Sequence, residues 1–221
     1  MTSVLSVVTV ITMKNDPDKK FRDRRDKIRG HYEPRISSLR ENYDILDWAS
    51  AHTQEARFAV LPRFLDLTGK SLLDVGCGLG DLLTYFERHK LAVDYTGVDI
   101  LPAMVQAASE RHPHGRFICG DVFQASPFGP GSFDVVFCSG TFNLNLGNNM
   151  EFLPDALARF FELSRRYVVF NLLHKRSASF DLKYFHYDPD EVLAMLKPLN
   201  CHTHIVDDYL PNDFTVLCEK A

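Results

Sequence analysis

Nowhere does the 221-residue sequence contain a CxxC pair, a Pro-, Gly- or Ser-rich linker, an apolar run long enough to span a bilayer, or an excess of positive charge. Each absence removes a class of function. Cys77, Cys119, Cys138, Cys201 and Cys218 stand mostly in apolar, strand-like runs, the pattern of reduced thiols and not of a disulfide framework, so the expected compartment is the cytoplasm. The apolar opening MTSVLSVVTVITM has no basic flank and no small-residue cleavage signature, and it is shorter than the ~20 residues of a membrane helix, so no membrane partner is expected. It reads as a minor strand, a leader, or the result of an upstream start with Met13 as the true initiator. His112/His114 and His202/His204 are i, i+2 pairs with no third ligand placed by spacing; they read as surface histidines, and no metal is expected. A formal net charge of −4, from 25 Lys+Arg against 29 Asp+Glu, argues against a general polyanion binder. The local exception is Lys19 to Arg29, KKFRDRRDKIR, read as a solvated helix face crossed by opposite charges in preference to a nucleic-acid contact.

What is present is a βα rhythm. From Ser71 onward, short apolar runs alternate with helical stretches: strands at 71–75, 94–99, 116–121, 133–139, 167–173, 201–209 and 213–220, helices at 81–89, 102–112, 151–164 and 190–196. This is the signature of an α/β fold with a doubly wound seven-stranded sheet. Only Leu210 to Asn212 separates the last two strands, too short for a helical crossover, so the sheet is mostly parallel and closes with an antiparallel C-terminal strand. Residues 14–68 hold no comparable strand. KFRDRRDKIRGHY and TQEARFAVLPRFLDL read as helices, with Thr53 as N-cap of the second and Pro62 interrupting or kinking it. The expected organisation is an N-terminal leader and helical extension or lid over 1–68, then one catalytic domain over 69–221.

The glycine turn Asp74-Val75-Gly76-Cys77-Gly78-Leu79-Gly80-Asp81 follows the first strand. Its spacing is GxGxG and not the GxGxxG of nicotinamide enzymes. Where that fingerprint wants a third small residue there is Asp81, a carboxylate that a helix N-terminus welcomes and a pyrophosphate does not. A ligand that is neutral or cationic at that point fits better.

LDVGCGLGD resembles motif I of the class I S-adenosylmethionine (SAM)-dependent methyltransferases. The likeness continues through YTGVDI, GDVF and FDVVFCSGTFN, and the closing hairpin is similar to the family's antiparallel seventh strand; it covers Ser71 to Lys220. The resemblance implies SAM as cofactor and S-adenosylhomocysteine (SAH) as product. It implies Gly76, Gly78 and Gly80 beside the methionyl part and Asp74 facing its ammonium. Asp99 would then accept the ribose hydroxyls with Ile100 packed on adenine, Asp121 and Val122 would read the adenine edge, and Ser139 would close the cofactor side at the fourth strand.

In open α/β sheets ligands lie beyond the carboxyl ends of the strands, so acceptor-side residues are sought in Ser139–Asn145 and Asn171–His174. His174 is the candidate general base and Asn143 a candidate acceptor-orienting residue, with Asn171 beside it; a surface histidine and loop asparagines satisfying backbone groups are the plainer alternatives. Tyr43, Trp48, Tyr184 and Tyr187 are candidates for an aromatic wall, with core or lid packing the favoured account of Trp48. The fourth strand ends SGTF, unlike the NPPY or DPPY of enzymes acting on exocyclic amines or glutamine, and there is no Pro-Cys pair, which lowers the expectation of a DNA enzyme. The leading expectation is methyl transfer to an oxygen or nitrogen of a small molecule. The alternatives are an RNA or protein methyltransferase docking through Lys19–Arg29, a catalytically silent SAM-binding partner subunit, and, at fold level, a nicotinamide oxidoreductase.

Overall fold

The computed structural model describes residues 17–36, 40–124, 126–176 and 181–221, of 17–22 the backbone alone; the apolar opening and its reading lie outside the described residues. In chain order come helices α1 (Pro17–Tyr32), α2 (Asn42–Ile45), α3 (Ala51–Phe58) and α4 (Val60–Phe64), then strand β1 (Ser71–Val75), α5 (Asp81–Arg88), β2 (Asp94–Asp99), α6 (Pro102–Arg111), β3 (Arg116–Cys119) and β4 (Phe133–Ser139). The remainder is α7 (Asn149–Leu163), β5 (Ser164–Leu173), α8 (Pro189–Leu196), β6 (Cys201–Val206) and β7 (Asp213–Lys220).

The strands form one seven-stranded sheet in the order β3-β2-β1-β4-β5-β7-β6. The first five pair in parallel, and β7 lies antiparallel between β5 and β6. The order reverses at β1, which pairs β2 on one side and β4 on the other, so loops at the carboxyl ends of these strands diverge and leave a crevice.

Period-two alternation divides the core. Leu73, Val136, Val168 and Phe170 turn to one face, where α7 and α8 cover them, while Leu72, Val135, Phe137 and Val169 turn to the other, under α3, α4 and α5. On α7 the fully buried Leu153, Ala156, Leu157 and Phe160 recur at helical spacing and make one apolar stripe.

Several boundaries differ from the sequence expectation for local reasons. Ser50, and not Thr53, caps α3: Ser50 Oγ accepts the Thr53 N–H at 3.2 Å and Thr53 Oγ1 accepts the Ser50 N–H at 3.2 Å, a reciprocal capping box. The interruption expected from Pro62 is present. The chain breaks at Ala59, and Pro62 falls in the first turn of α4, where its missing N–H costs nothing. β3 ends at Cys119 and β6 at Val206, earlier than expected, and β5 begins at Ser164, next to a register shift opposite Phe133 and Val135. Among the described residues no helix is long and apolar enough to cross a membrane.

Candidate active site

The crevice opens into a cavity of about 490 Å³ at the carboxyl ends of the parallel strands, within the range of small-molecule sites. Asp74 ends β1 almost fully buried, at 4% exposure. Burial pushes its carboxyl up to about 7; a 2.9 Å hydrogen bond donated by Tyr95 Oη opposes the rise, and the charges of Asp99 and Asp81 add to it. Asp99 ends β2 and is held by the turn itself: Gly78 N–H donates to Oδ2 at 3.0 Å and Leu101 N–H to Oδ1 at 2.9 Å. Burial raises its carboxyl, and these amides pull against that rise. Each oxygen keeps a lone pair for a ligand hydroxyl. Asp121, beyond β3, accepts the Phe123 N–H at 2.9 Å and lies 4.0 Å from Arg25 Nη2.

The glycine turn has a packing reason as well as a ligand reason. Gly76 has φ 75°, and a Cβ built there would overlap Thr141 Oγ1, whose hydroxyl donates to Val75 O at 3.2 Å. Only glycine fits there, because both the left-handed backbone and the neighbouring side chain exclude a methyl. At Gly140 the space a Cβ would take is occupied by the Trp48 ring, 2.5 Å from the built position. The N-terminal segment thus packs directly on the loop after β4.

That segment is tied down by charge. Asp81, the carboxylate that argued against a pyrophosphate, accepts hydrogen bonds from Asn42 Nδ2, from Gln54 Nε2 at 3.0 Å and from Arg111 Nη1 at 3.1 Å. Asp47 receives His31 at 3.0 Å, Lys183 at 3.0 Å and Arg35 at 3.7 Å. Arg57 stacks 4.3 Å over Trp48 and forms a bidentate buried pair with Asp213 at 2.9 and 2.6 Å. From α1, Lys27 Nζ donates to Leu146 O at 2.9 Å and Arg25 Nη2 to Gln124 Oε1 at 2.7 Å.

Of the residues singled out from sequence, Asp74, Gly76, Gly78, Asp99, Ile100, Asp121, Val122, Ser139 and Asn143 all line this one cavity, as do Trp48 and Tyr184. Gly80 does not; it caps α5 in the left-handed conformation, and a Cβ there would meet Phe117 and His112. His174 is also absent from the lining. Its Nδ1 accepts the Arg176 N–H at 3.0 Å and its ring packs edge-on against Phe214, because the chain turns away after β5. Asn171 Oδ1 accepts the Gly140 N–H at 3.0 Å, the loop-satisfying role, and Tyr187 is core, its hydroxyl donating to Phe142 O at 3.0 Å. His112 is a buried partner of Thr84, at 3.1 Å, and not a surface histidine. Sequence reasoning missed Arg24, Gln54, Arg57, Asp47 and His186, all of which line the cavity. Arg24 departs from the expected solvated face: it is 8% exposed, with its guanidinium 3.6 Å over the Phe152 ring.

The lining carries six carboxylates, Asp47, Asp74, Asp81, Asp99, Asp121 and Asp181, against the guanidinium groups of Arg24, Arg25 and Arg57. Asp47 and Asp81 are answered by Arg35, Lys183 and Arg111, and it is Asp74 and Asp99, without an ion pair among the described residues, that favour positive charge on a ligand beside them. A seven-stranded sheet with an antiparallel β7, a glycine turn after β1 and acidic residues at the ends of β1, β2 and β3 define a methyltransferase-type α/β protein.

Comparison with known proteins agrees. A family model described as "Methyltransferase domain" matches residues 72–165. A Mycobacterium tuberculosis protein provisionally named as a methyltransferase, Rv1506c, is 30% identical over 164 residues, 68% of this chain and 93% of that protein. The chain belongs to the class I SAM-dependent methyltransferase family. Among solved structures, magnesium protoporphyrin IX methyltransferase from Synechocystis with bound SAH superposes with a TM-score of 0.66 at 15% identity, covering 90% of this chain and all of that one. The 1,6-didemethyltoxoflavin-N1-methyltransferase of Burkholderia thailandensis, with its substrate and SAH, gives 0.66 at 17% identity, covering 96% of this chain and 93% of that one. At such identities the likeness is one of fold.

Proposed function

We propose that this chain transfers the methyl group of SAM to an oxygen or nitrogen atom of a small-molecule acceptor. The observation that carries the reading is the acidic cavity itself, with Asp74 and Asp99 at the ends of β1 and β2 and Asp121 just past β3 around it. Bound SAM supplies an electrophilic methyl on a sulfonium, so what the chain must contribute is orientation, and a base only where the acceptor atom is protonated. Asp74 neutralises the ammonium, Asp99 accepts the ribose hydroxyls through the lone pairs left by Gly78 and Leu101, and Asp121 with Val122 and Ile100 holds the adenine. Ser139 and the glycine turn complete the cofactor side.

On the acceptor side Asn143 presents a buried Oδ1 with no hydrogen-bond partner among the described residues. His186 takes the place of His174 as candidate base. It lines the cavity, and burial holds its imidazole below the ordinary histidine value, with Asp213 partly offsetting this, so it stays neutral and able to accept a proton at neutral pH. Helices α1 to α4 act as the lid, and the sheet domain from residue 69 onward as the SAM-binding domain. The basic residues of α1 favour a small acceptor over nucleic acid, since Arg24, Arg25 and Lys27 turn to the protein's own groups.

Calorimetric titration with SAM, SAH and NADH, beside Asp99→Ala, tests the cofactor assignment. SAM and SAH binding, weakened by about one to two decades in the variant as expected for a hydrogen bond to a charged group, supports it. NADH binding without SAH binding overturns it.

A further inference from the structure

Three guanidinium groups line the cavity, and two are held by side-chain oxygens, although the Nε of Arg25 has no partner among the described residues. Arg57 is neutralised by Asp213, and Arg25 is bonded to Gln124 beside Asp121. Arg24 is different. It is 8% exposed, its Nη1 has no hydrogen-bond partner among the described residues, and no carboxylate of those residues forms an ion pair with it. Its partner is a ring face: the guanidinium lies 3.6 Å over Phe152, itself a cavity residue. Burial pulls the guanidinium down to about 10, with the charges of Tyr187, Asp121 and Cys138 opposing the fall; it remains cationic at neutral pH. A buried cation held flat against an aromatic face, with one edge unpaired, is a prepared half of a planar charge-assisted pair.

Resting on the transfer reading above, we propose that Arg24 anchors a carboxylate of the methyl acceptor, so that the substrate is a monoanionic, carboxylate-bearing small molecule. The charge balance selects this class. One cation is unmatched, so one negative charge satisfies it, whereas a phosphate dianion would bring excess charge into a cavity already holding six carboxylates. Were Arg24 to hold the methionyl carboxylate of the cofactor instead, removing its guanidinium would weaken SAH, which the titration below reads. The anchored carboxylate serves for binding and not as the methylated atom, because its lone pairs are engaged by the guanidinium. Phe152 and Phe123, packed edge to face at 5.0 Å beside it, offer apolar surface to the body of the molecule.

The test uses the full chain saturated with SAH, titrated calorimetrically with hexanoate, benzoate and 3-phenylpropionate, each against its primary amide, and with phenyl phosphate. The expected result is at least one carboxylate bound about tenfold or more tighter than its amide, with the preference lost in Arg24→Gln and SAH affinity unchanged within about twofold. Arg24→Lys, which keeps the charge but not the fork, should retain part of it. The wild-type carboxylate-to-amide ratio needs no variant, so a misfolded Arg24→Gln leaves the test intact. Equal binding of every carboxylate and its amide overturns the assignment, as does tighter binding of phenyl phosphate or a loss of SAH affinity in Arg24→Gln. Failure of the wild type to bind SAH is a separate outcome that removes the transfer reading itself.

Discussion

Replacing Asp74 by asparagine should make the ligand-free protein more stable and the cofactor-bound protein worse. Asp74 is 4% exposed, and its carboxyl stands at about 7 against an ordinary 3.8. Its folded-state value is raised, so between about pH 4 and pH 7 the folded protein keeps a proton that the unfolded chain has released. Stability therefore falls as pH rises through that window and levels off above it. About three pKa units at roughly 1.4 kcal/mol each give a penalty on the order of 4 kcal/mol at about pH 8. Asparagine keeps an oxygen to accept the Tyr95 hydroxyl and removes the charge. Urea unfolding from about pH 5 to pH 9, with and without SAH, measures both consequences. Without ligand, Asp74→Asn should exceed wild type at about pH 8 by a large part of that penalty, the gap closing towards about pH 4. With SAH at about a hundred times its wild-type dissociation constant, wild type should gain roughly 2.7 kcal/mol and the variant much less. Parallel pH profiles of the two ligand-free proteins would refute the reasoning, because the ionised carboxylate would then already be compensated inside the fold.

Gly76→Ala should lower stability by about 1–3 kcal/mol, read as a drop in Tm, since a methyl there meets both a φ of 75° and Thr141. Adding Thr141→Ala should recover the overlap but not the backbone strain. With an acceptor in hand, His186→Asn should cut kcat by about a hundredfold or more and leave SAH affinity unchanged, while His174→Asn leaves kcat intact. The acid limb of the rate profile should lie below the ordinary histidine range, because burial holds His186 there; a limb that survives His186→Asn would sink the assignment.

Legibility from sequence followed the range of the interactions. The strands of the sheet were readable because period-two burial and GxGxG spacing are local, and Asp74, Asp99 and Asp121 were picked out by the resemblance of the motifs that contain them to those of the methyltransferase family. The acceptor side was not, because it is made by juxtaposition. Arg24 sits in a charge run whose composition suggests solvent, and only the docking of α1 across the loop after β3 and against α7 turns it inward. His174 and His186 lie twelve residues apart, and no local pattern tells which of them the chain carries into the cavity after leaving β5. The Thr53 cap missed by one partner, for the box needs both Ser50 and Thr53, and spacing alone favoured the residue next to the helical pattern.

The placement of β7 has a consequence for the order in which the molecule is built during synthesis. A strand whose Phe214, Val216 and Cys218 are fully buried is the last of the seven to leave the ribosome, yet it belongs inside the sheet, between β5 and β6. Until it arrives, Phe170 and Leu172 on β5 border an open sheet edge, a surface prone to wrong pairing. Arg57 waits as well, since its carboxylate, Asp213, is 156 residues further along the chain. Emergence of this one strand covers the β5 edge and brings Asp213 to Arg57, so a single element joins the sheet to the N-terminal segment.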